Sequence, residues 1–304
     1  MMRKTLLNTK IGTKRRWLKE KTAMTMKRVN LNENLEVLQF PEWMVDCNIS
    51  HFITTRRGGV STGNYAGMNP GLYTTDLPEN IDKNRRILCE ALQIDLSRLI
   101  TPHQTHSDRI AVIDEAWLAQ GPVEQVRSLE GIDALMTHVP DFYVTVSTAD
   151  CVPVLLYASD KRVVAAVHAG WRGTVAAIVQ KTIKRMVEIY GCDVSCLQAA
   201  IGPSISLKSF EVGTELVETF RASEVWRKED TETLFWIHPD THKYHIDLWR
   251  ANRLQLLYEG VEESHILQAD LCTYEQVDEL FSARRLGINS GRILSGIRIQ
   301  GGKE

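Results

Sequence analysis

Phe142-Tyr-Val-Thr-Val-Ser147, Val152-Pro-Val-Leu-Leu-Tyr157 and Arg162-Val-Val-Ala-Ala-Val-His-Ala169 are the stretches on which the fold turns. The first alternates large and polar side chains, the pattern of a half-buried strand. The second is an apolar run of strand length. The third follows after the turn residues Ser159-Asp-Lys161. Two such runs around a short polar turn predict an antiparallel hairpin. Helical spacing flanks them. Ile81, Leu88 and Leu92 mark a helix over 81–93. Val175, Ile178, Val179, Met186, Val187 and Tyr190 form one stripe over 174–190, and 248–258 reads as a further helix. Gly191 is the expected C-terminal cap of the second. Hairpins mixed with helices predict a mixed α/β fold, not a purely parallel one.

Composition bounds the rest. The chain has 304 residues, 43% hydrophobic and 24% charged. That balance is globular and excludes a wholly disordered, collagen-like or disulfide-scaffold chain. Apolar runs such as Val163 to Val167 fall short of a membrane span. A net charge of −2 provides no field toward nucleic acid. No repeat or linker divides the body, so one domain is expected over 29–304. Residues 1–28 hold ten of the 36 basic residues against one of the 38 acidic ones, Glu20, which leaves 26 basic and 37 acidic groups for the body. This stretch lacks the apolar core and cleavage site of a secretory signal. It reads as a basic disordered tail, or as codons upstream of a start at Met24 or Met26, in preference to a transit peptide. Six cysteines without a Cys-x-x-Cys pair imply free thiols in a reducing, cytoplasmic setting.

The hairpin has a chemical consequence. Cys151 stands just before its first strand and His168 near the end of its second. A two-residue loop at Ser159-Asp160 or Asp160-Lys161 puts them on one face, opposite or one diagonal step apart, roughly 5–8 Å between Cβ atoms. A three-residue loop puts them on opposite faces. A thiol beside an imidazole can be a structural pair, a nucleophile with its base, or half of a metal site. Gly170-Trp-Arg172-Gly173 then leads into a helix, and a Gly-flanked arginine at a helix N-terminus suits an anion such as phosphate. Asp150 adds a carboxylate for acid–base work or for turn chemistry. His103 and His106 in Pro102-His-Gln-Thr-His106 share a face on a helix and part company on a strand. Thr54-Thr-Arg56-Arg-Gly-Gly-Val-Ser61 is a second Gly-rich loop, able to grip phosphate or a carboxylate, or to be a basic turn. His242 and His245 read as surface residues.

Six motifs in order carry a resemblance. They are Thr54-Thr-Arg56-x-Gly58-Gly-x-Ser61, Gln104-x-His106, Thr148-Ala-Asp-Cys151, His168-Ala-Gly-Trp-Arg-Gly173, Ile201-Gly-Pro203 and Cys272-Thr273. Asp247-Leu-x-x-Ala-Asn-Arg253 and Phe281-Ser with Arg284-Arg-x-Gly287 fit as well. Together they resemble the laccase-domain, YfiH-like family, formerly labelled multicopper polyphenol oxidase and now purine nucleoside phosphorylase. The resemblance implies a layered α/β/β/α sandwich. It also implies a His–Cys–His metal set falling on His106, Cys151 and His168. Ser107 departs from the family's glycine, and Ser204-Ile205 from a cysteine common after Gly-Pro. His103 lies outside the family pattern and reads as structural.

The activity implied is phosphorolysis of adenosine, inosine, guanosine and S-methyl-5′-thioadenosine, with adenosine deamination at the same site. Purine nucleosides and inorganic phosphate are the expected partners. Three protein ligands leave zinc one open position, the pattern of a catalytic site. Arg56 and Arg172 are the expected phosphate clamps, and Asp150 a proton donor or acceptor. The zinc-deaminase signature of His-x-Glu with Pro-Cys-x-x-Cys is absent. A copper-dependent polyphenol oxidase is the alternative. Nine histidines without a His-x-His pair cannot build a full multicopper set, though a Cys/His₂ set could hold one copper. A metal-free hydrolase using Cys151 and His168 is a third reading, and a non-catalytic partner protein a fourth.

Overall fold

A computed structural model describes residues 26–302. Among these, fifteen strands, numbered in chain order, form three sheets. The first runs β1 (Lys27–Asn30), β2 (Glu36–Gln39), β3 (Ile49–Thr54), β15 (Ile293–Ile299), β7 (Tyr143–Thr148), β4 (Leu99–Ile100). The second runs β14 (Ile266–Gln268), β10 (Leu197–Ile201), β8 (Val152–Ala158), β9 (Val163–Ala169), β6 (Ala134–Thr137), β5 (Ile110–Val112). A small third sheet pairs β11 (Glu211–Val212), β13 (Tyr244–Ile246) and β12 (Phe235–Ile237). Both large sheets are mixed. β4 joins β7, β5 joins β6 and β14 joins β10 in parallel.

Side-chain parity builds the layers. Along β8, Val152, Val154 and Leu156 pack with helices Ile178–Tyr190 and Leu248–Tyr258. Leu155 and Tyr157 point the other way, into a core between the sheets with Val144, Val146, Ile293 and Ile297. On the far face of the first sheet, Phe52, Tyr143 and Leu294 pack on Leu88 and Cys89 of helix Pro78–Leu92. The result is helix, sheet, sheet, helix, the layered α/β/β/α sandwich. It corrects one expectation. The strand at 143–148 is buried on both faces, not half-buried, because a helix covers its outer side. Two of its polar side chains are satisfied internally: Thr145 Oγ1 donates to Ile100 O at 2.8 Å, and the Tyr143 hydroxyl meets Ser50 Oγ at 2.7 Å.

The hairpin forms as expected. Its loop has four residues, Ser159–Arg162, with Arg162 in the left-handed region at φ 51°. The register pairs Pro153 with His168, the register a two-residue Asp160-Lys161 loop would give. Cys151 is therefore one diagonal step from His168, on the same face.

Two boundaries move. Helix 174–190 is in fact two, Trp171–Val175 and Ile178–Tyr190, broken at Ala177 with φ 61°. Gln255 Nε2 donates to the carbonyl of Thr174 at 2.8 Å, which ties the first short helix to Leu248–Tyr258. Gly191 caps the second at φ 67°. Lys27 and Arg28, read as tail, belong to β1, where Arg28 pairs with Glu36 and Glu279. The fold thus takes in the last residues of the basic stretch, and the rest of that tail, residues 1–25, lies outside the described residues.

Candidate metal centre and active-site cavity

His168 is the sixth residue of β9, and Cys151 leads directly into β8. His106 arrives from a loop that is neither helix nor strand, at φ 62°. The ligand atoms of His106, Cys151 and His168 lie within 4.8 Å of one another. His106 Nε2 is 3.7 Å from Cys151 Sγ, and the two imidazoles meet edge to face with centroids 4.9 Å apart. Zn–S and Zn–N bonds at a tetrahedral angle would separate S from N by about 3.6 Å, so this donor set fits such an ion. Among the described residues no other group of three His, Cys, Asp or Glu side chains is gathered closely enough for a cation.

One residue organises both histidines, and the sequence reading missed it. Asp133 is fully buried just before β6. Its Oδ1 accepts from His168 Nδ1 at 2.7 Å and from the backbone N–H of His106 at 3.0 Å. Oδ2 accepts from the N–H groups of Thr105 and Ser107 and from Ser107 Oγ, at 3.2, 2.8 and 2.7 Å. Its carbonyl takes the N–H of His168 at 2.8 Å. Holding Nδ1–H fixes the tautomer and frees Nε2 of His168 as a ligand atom. The same carboxylate supports the left-handed backbone at His106, a conformation costly for a non-glycine residue.

The electrostatics follow. Burial opposes ionisation of Asp133, but the His168 imidazole and the Ser107 donors outweigh it and hold the carboxyl at about 2. Burial likewise raises the Cys151 thiol, yet the facing His168 and His106 bring it below its ordinary value. His168 is raised in turn, as Cys151 and Asp133 overcome its desolvation. Thiolate is the form that ligates metal.

Gly170 supplies room rather than backbone freedom, since its φ is −67°. A Cβ there would lie 2.9 Å from His106 Cδ2 and 3.0 Å from Cys151 Sγ. Gly170→Ala is expected to weaken metal binding by about the 10–100-fold of a disturbed outer shell, with little change in melting temperature. Metal titration alongside a thermal melt checks it; unchanged metal affinity contradicts the packing argument.

The three ligands line a cavity of about 500 Å³, with Tyr73, His103, Gln104, Asp150, Trp171, Phe210, Arg284, Ile288 and Arg292 among its walls. Such a volume suits a small organic molecule. Asp150 is at the wall, at φ 84°, with both oxygens committed: Oδ1 accepts from Thr273 Oγ1 and Oδ2 from the Arg284 N–H, each at 2.6 Å. It acts as a strut between the Thr273 turn and the first turn of the short helix Ala283–Leu286.

Arg56 and Arg172 are not on the cavity wall. The Arg56 guanidinium donates to Ala66 O and Val277 O and lies 4.9 Å over the Phe281 ring. Arg172 is exposed, over the Trp171 ring. The Gly-rich loop does grip a carboxylate, but an internal one: Arg57 pairs with Glu279. The cations on the cavity are Arg284 and Arg292 instead. Arg292 donates to the carbonyls of Ser290, Gly291 and Ile288 and has no carboxylate within 4.0 Å among the described residues. Burial lowers its pKa, with Cys151, Tyr65 and Asp150 acting the other way; a buried cation without a salt bridge would gain from an anion in the cavity. Away from the cavity, His245 corrects the surface reading: it is 4% exposed in the central strand of the small sheet.

Residues 50–300 match the family described as multi-copper polyphenol oxidoreductase laccase. The chain belongs to this laccase-domain family. It is 44% identical over 271 residues to a purine nucleoside phosphorylase of Bacteroides thetaiotaomicron, covering 89% of this chain and 99% of that one. It is 42% identical over 245 residues to a protein named adenosine deaminase RL5, from an unknown prokaryotic organism, covering 80% and 92%. Among solved structures, YlmD from Geobacillus stearothermophilus matches with a TM-score of 0.78 at 30% identity, over 87% of this chain and 96% of that one. A YfiH protein of Bacillus licheniformis gives 0.80 at 28% identity, over 89% and 98%. The matched span contains all six motifs and the three candidate ligands.

Proposed function

We propose that this chain is a zinc-dependent purine nucleoside phosphorylase. It converts adenosine, inosine, guanosine or S-methyl-5′-thioadenosine, with inorganic phosphate, to free base and pentose 1-phosphate. The observation that carries the reading is the His106–Cys151–His168 set beside Arg284 and Arg292 in one cavity. Zinc would be held by those three side chains and would supply a positive centre against which a reacting oxygen is polarised. Arg292 neutralises phosphate, and Arg284 adds a second cation whose short helix Asp150 fixes. Trp171 and Phe210 offer apolar wall to the nucleoside. The proposed setting is the cytoplasm; no helix among the described residues is long and apolar enough to cross a membrane.

Adenosine deamination at the same site is a second reading, supported by the relative of that name. A multicopper oxidase needs donors for several ions, and among the described residues one group of three is gathered. A single copper on the Cys/His₂ set is the surviving form of the copper reading.

Inosine turnover on metal-quantified protein tests the proposal. The expected result is one zinc per chain and hypoxanthine release that requires phosphate and disappears on chelation. Release that persists under chelation and stops on alkylation supports the thiol hydrolase instead and overturns the zinc reading.

A further inference from the structure

His103, outside the family pattern, stands on the cavity wall three residues before His106. Its Nδ1 meets both oxygens of Glu130, at 2.7 and 2.8 Å. Its ring stacks on Tyr73, with centroids 4.0 Å apart and planes 22° from parallel. Nε2 has no hydrogen-bond partner among the described residues. The loop beneath it is pinned. His103 N donates to Leu129 O at 3.0 Å, and Gly131 N donates to His103 O at 2.9 Å. The Gln104 side chain donates to Ser147 O at 2.8 Å and accepts from Ser147 N at 2.7 Å. The backbone of His103 and the side chain of Gln104 beside it are thus both fixed by hydrogen bonds.

A structural role accounts poorly for this arrangement. The His103 and Glu130 side chains are 36% and 62% exposed, and pairs that open to water add little stability. The other titratable groups on the cavity are spoken for. His106, Cys151 and His168 form the metal set, and Asp150 has both oxygens occupied. Burial holds the Tyr73 phenol above its ordinary pKa. Phosphorolysis still needs a proton for the departing base.

We propose that His103, oriented by Glu130 and Tyr73, is the proton donor to the leaving purine; this rests on the phosphorylase reading. A phosphate oxygen attacks C1′ and forms the new C–O bond. The C1′–N9 bond breaks, and its electron pair passes into the purine. The Nε2 proton moves to purine N7, so the base leaves neutral. Hydrogen phosphate gives up its own proton as the pentose 1-phosphate dianion forms, and that proton restores the imidazolium. Glu130 keeps Nδ1–H occupied throughout, so Nε2 faces the base.

Comparing inosine with 7-methylinosine tests this, because the methylated base departs neutral without a proton at N7. His103→Gln is expected to lower kcat/KM for inosine by about 100-fold or more, while 7-methylinosine changes less than a few-fold. Glu130→Gln should show the same selective loss, smaller in size. Both variants should melt close to the wild type. Equal losses on the two substrates, or no loss on inosine, overturn the assignment of His103 alone. A wild type that turns over neither substrate in phosphate overturns the phosphorylase reading, and this inference with it.

Discussion

Cys151→Ala is expected to leave a folded protein that neither retains zinc nor releases hypoxanthine. Cys151 precedes β8 on a partly exposed cavity wall, so its loss creates no core cavity. Two imidazoles 4.9 Å apart remain, one ligand short of the three-residue set that catalytic zinc sites use. A metal centre supplies several kcal/mol of charge stabilisation, and tenfold in rate is about 1.4 kcal/mol. Turnover should therefore fall by about 10³-fold or more. Metal content by mass spectrometry and a phosphate-dependent assay read both effects. A variant that keeps both metal and activity removes Cys151 from the ligand set.

Asp133→Asn should damage stability and metal affinity together, although Asp133 does not enter the ligand set. The substitution places an amide where five donors converge on a carboxylate. An NH₂ group then faces other N–H groups, and His168 Nδ1 loses its charged partner in a site 0% exposed at the aspartate. Breaking one side of a buried charged pair costs about 3–5 kcal/mol. At 2–4 °C per kcal/mol for a domain near this size, the melting temperature should drop by roughly 10 °C. Zinc affinity should fall by about 10–100-fold, the usual effect of removing the partner that orients a ligating histidine. A melt within a degree or two of the wild type would contradict the role given to this carboxylate.

The candidate metal set is legible because its parts ride on strong local patterns. Cys151 and His168 flank two apolar runs whose pairing follows from alternation, and a same-face loop length makes them neighbours. His106 was placed by its motif alone, since neither a helix nor a strand describes its loop. Arg56 and Arg172, the expected phosphate clamps, lie off the cavity wall for a physical reason. Arg56 and Arg172 sit in Gly-rich segments that look like anion sites, yet packing turns one onto internal carbonyls and leaves the other outside. Arg292 carries no local signal: its importance lies in reaching the cavity wall without a salt-bridge partner among the described residues. Asp133 is equally silent, because its five donors come from two segments far from it in sequence, Thr105–Ser107 and His168. His245 was read from polar neighbours, but the small sheet buries it.

By itself, the sequence determined the fold class, the hairpin, two flanking helices and the three candidate ligands. Those depend on periodicity and on short motifs, which act over a few residues. Only the tertiary structure decided the loop that fixes the hairpin register, the break at Ala177 and the strand buried on both faces. It also decided which cations reach the cavity and which carboxylate holds the histidines. These are properties of residues far apart in the chain, and their contacts come from how the layers pack rather than from any stretch read alone.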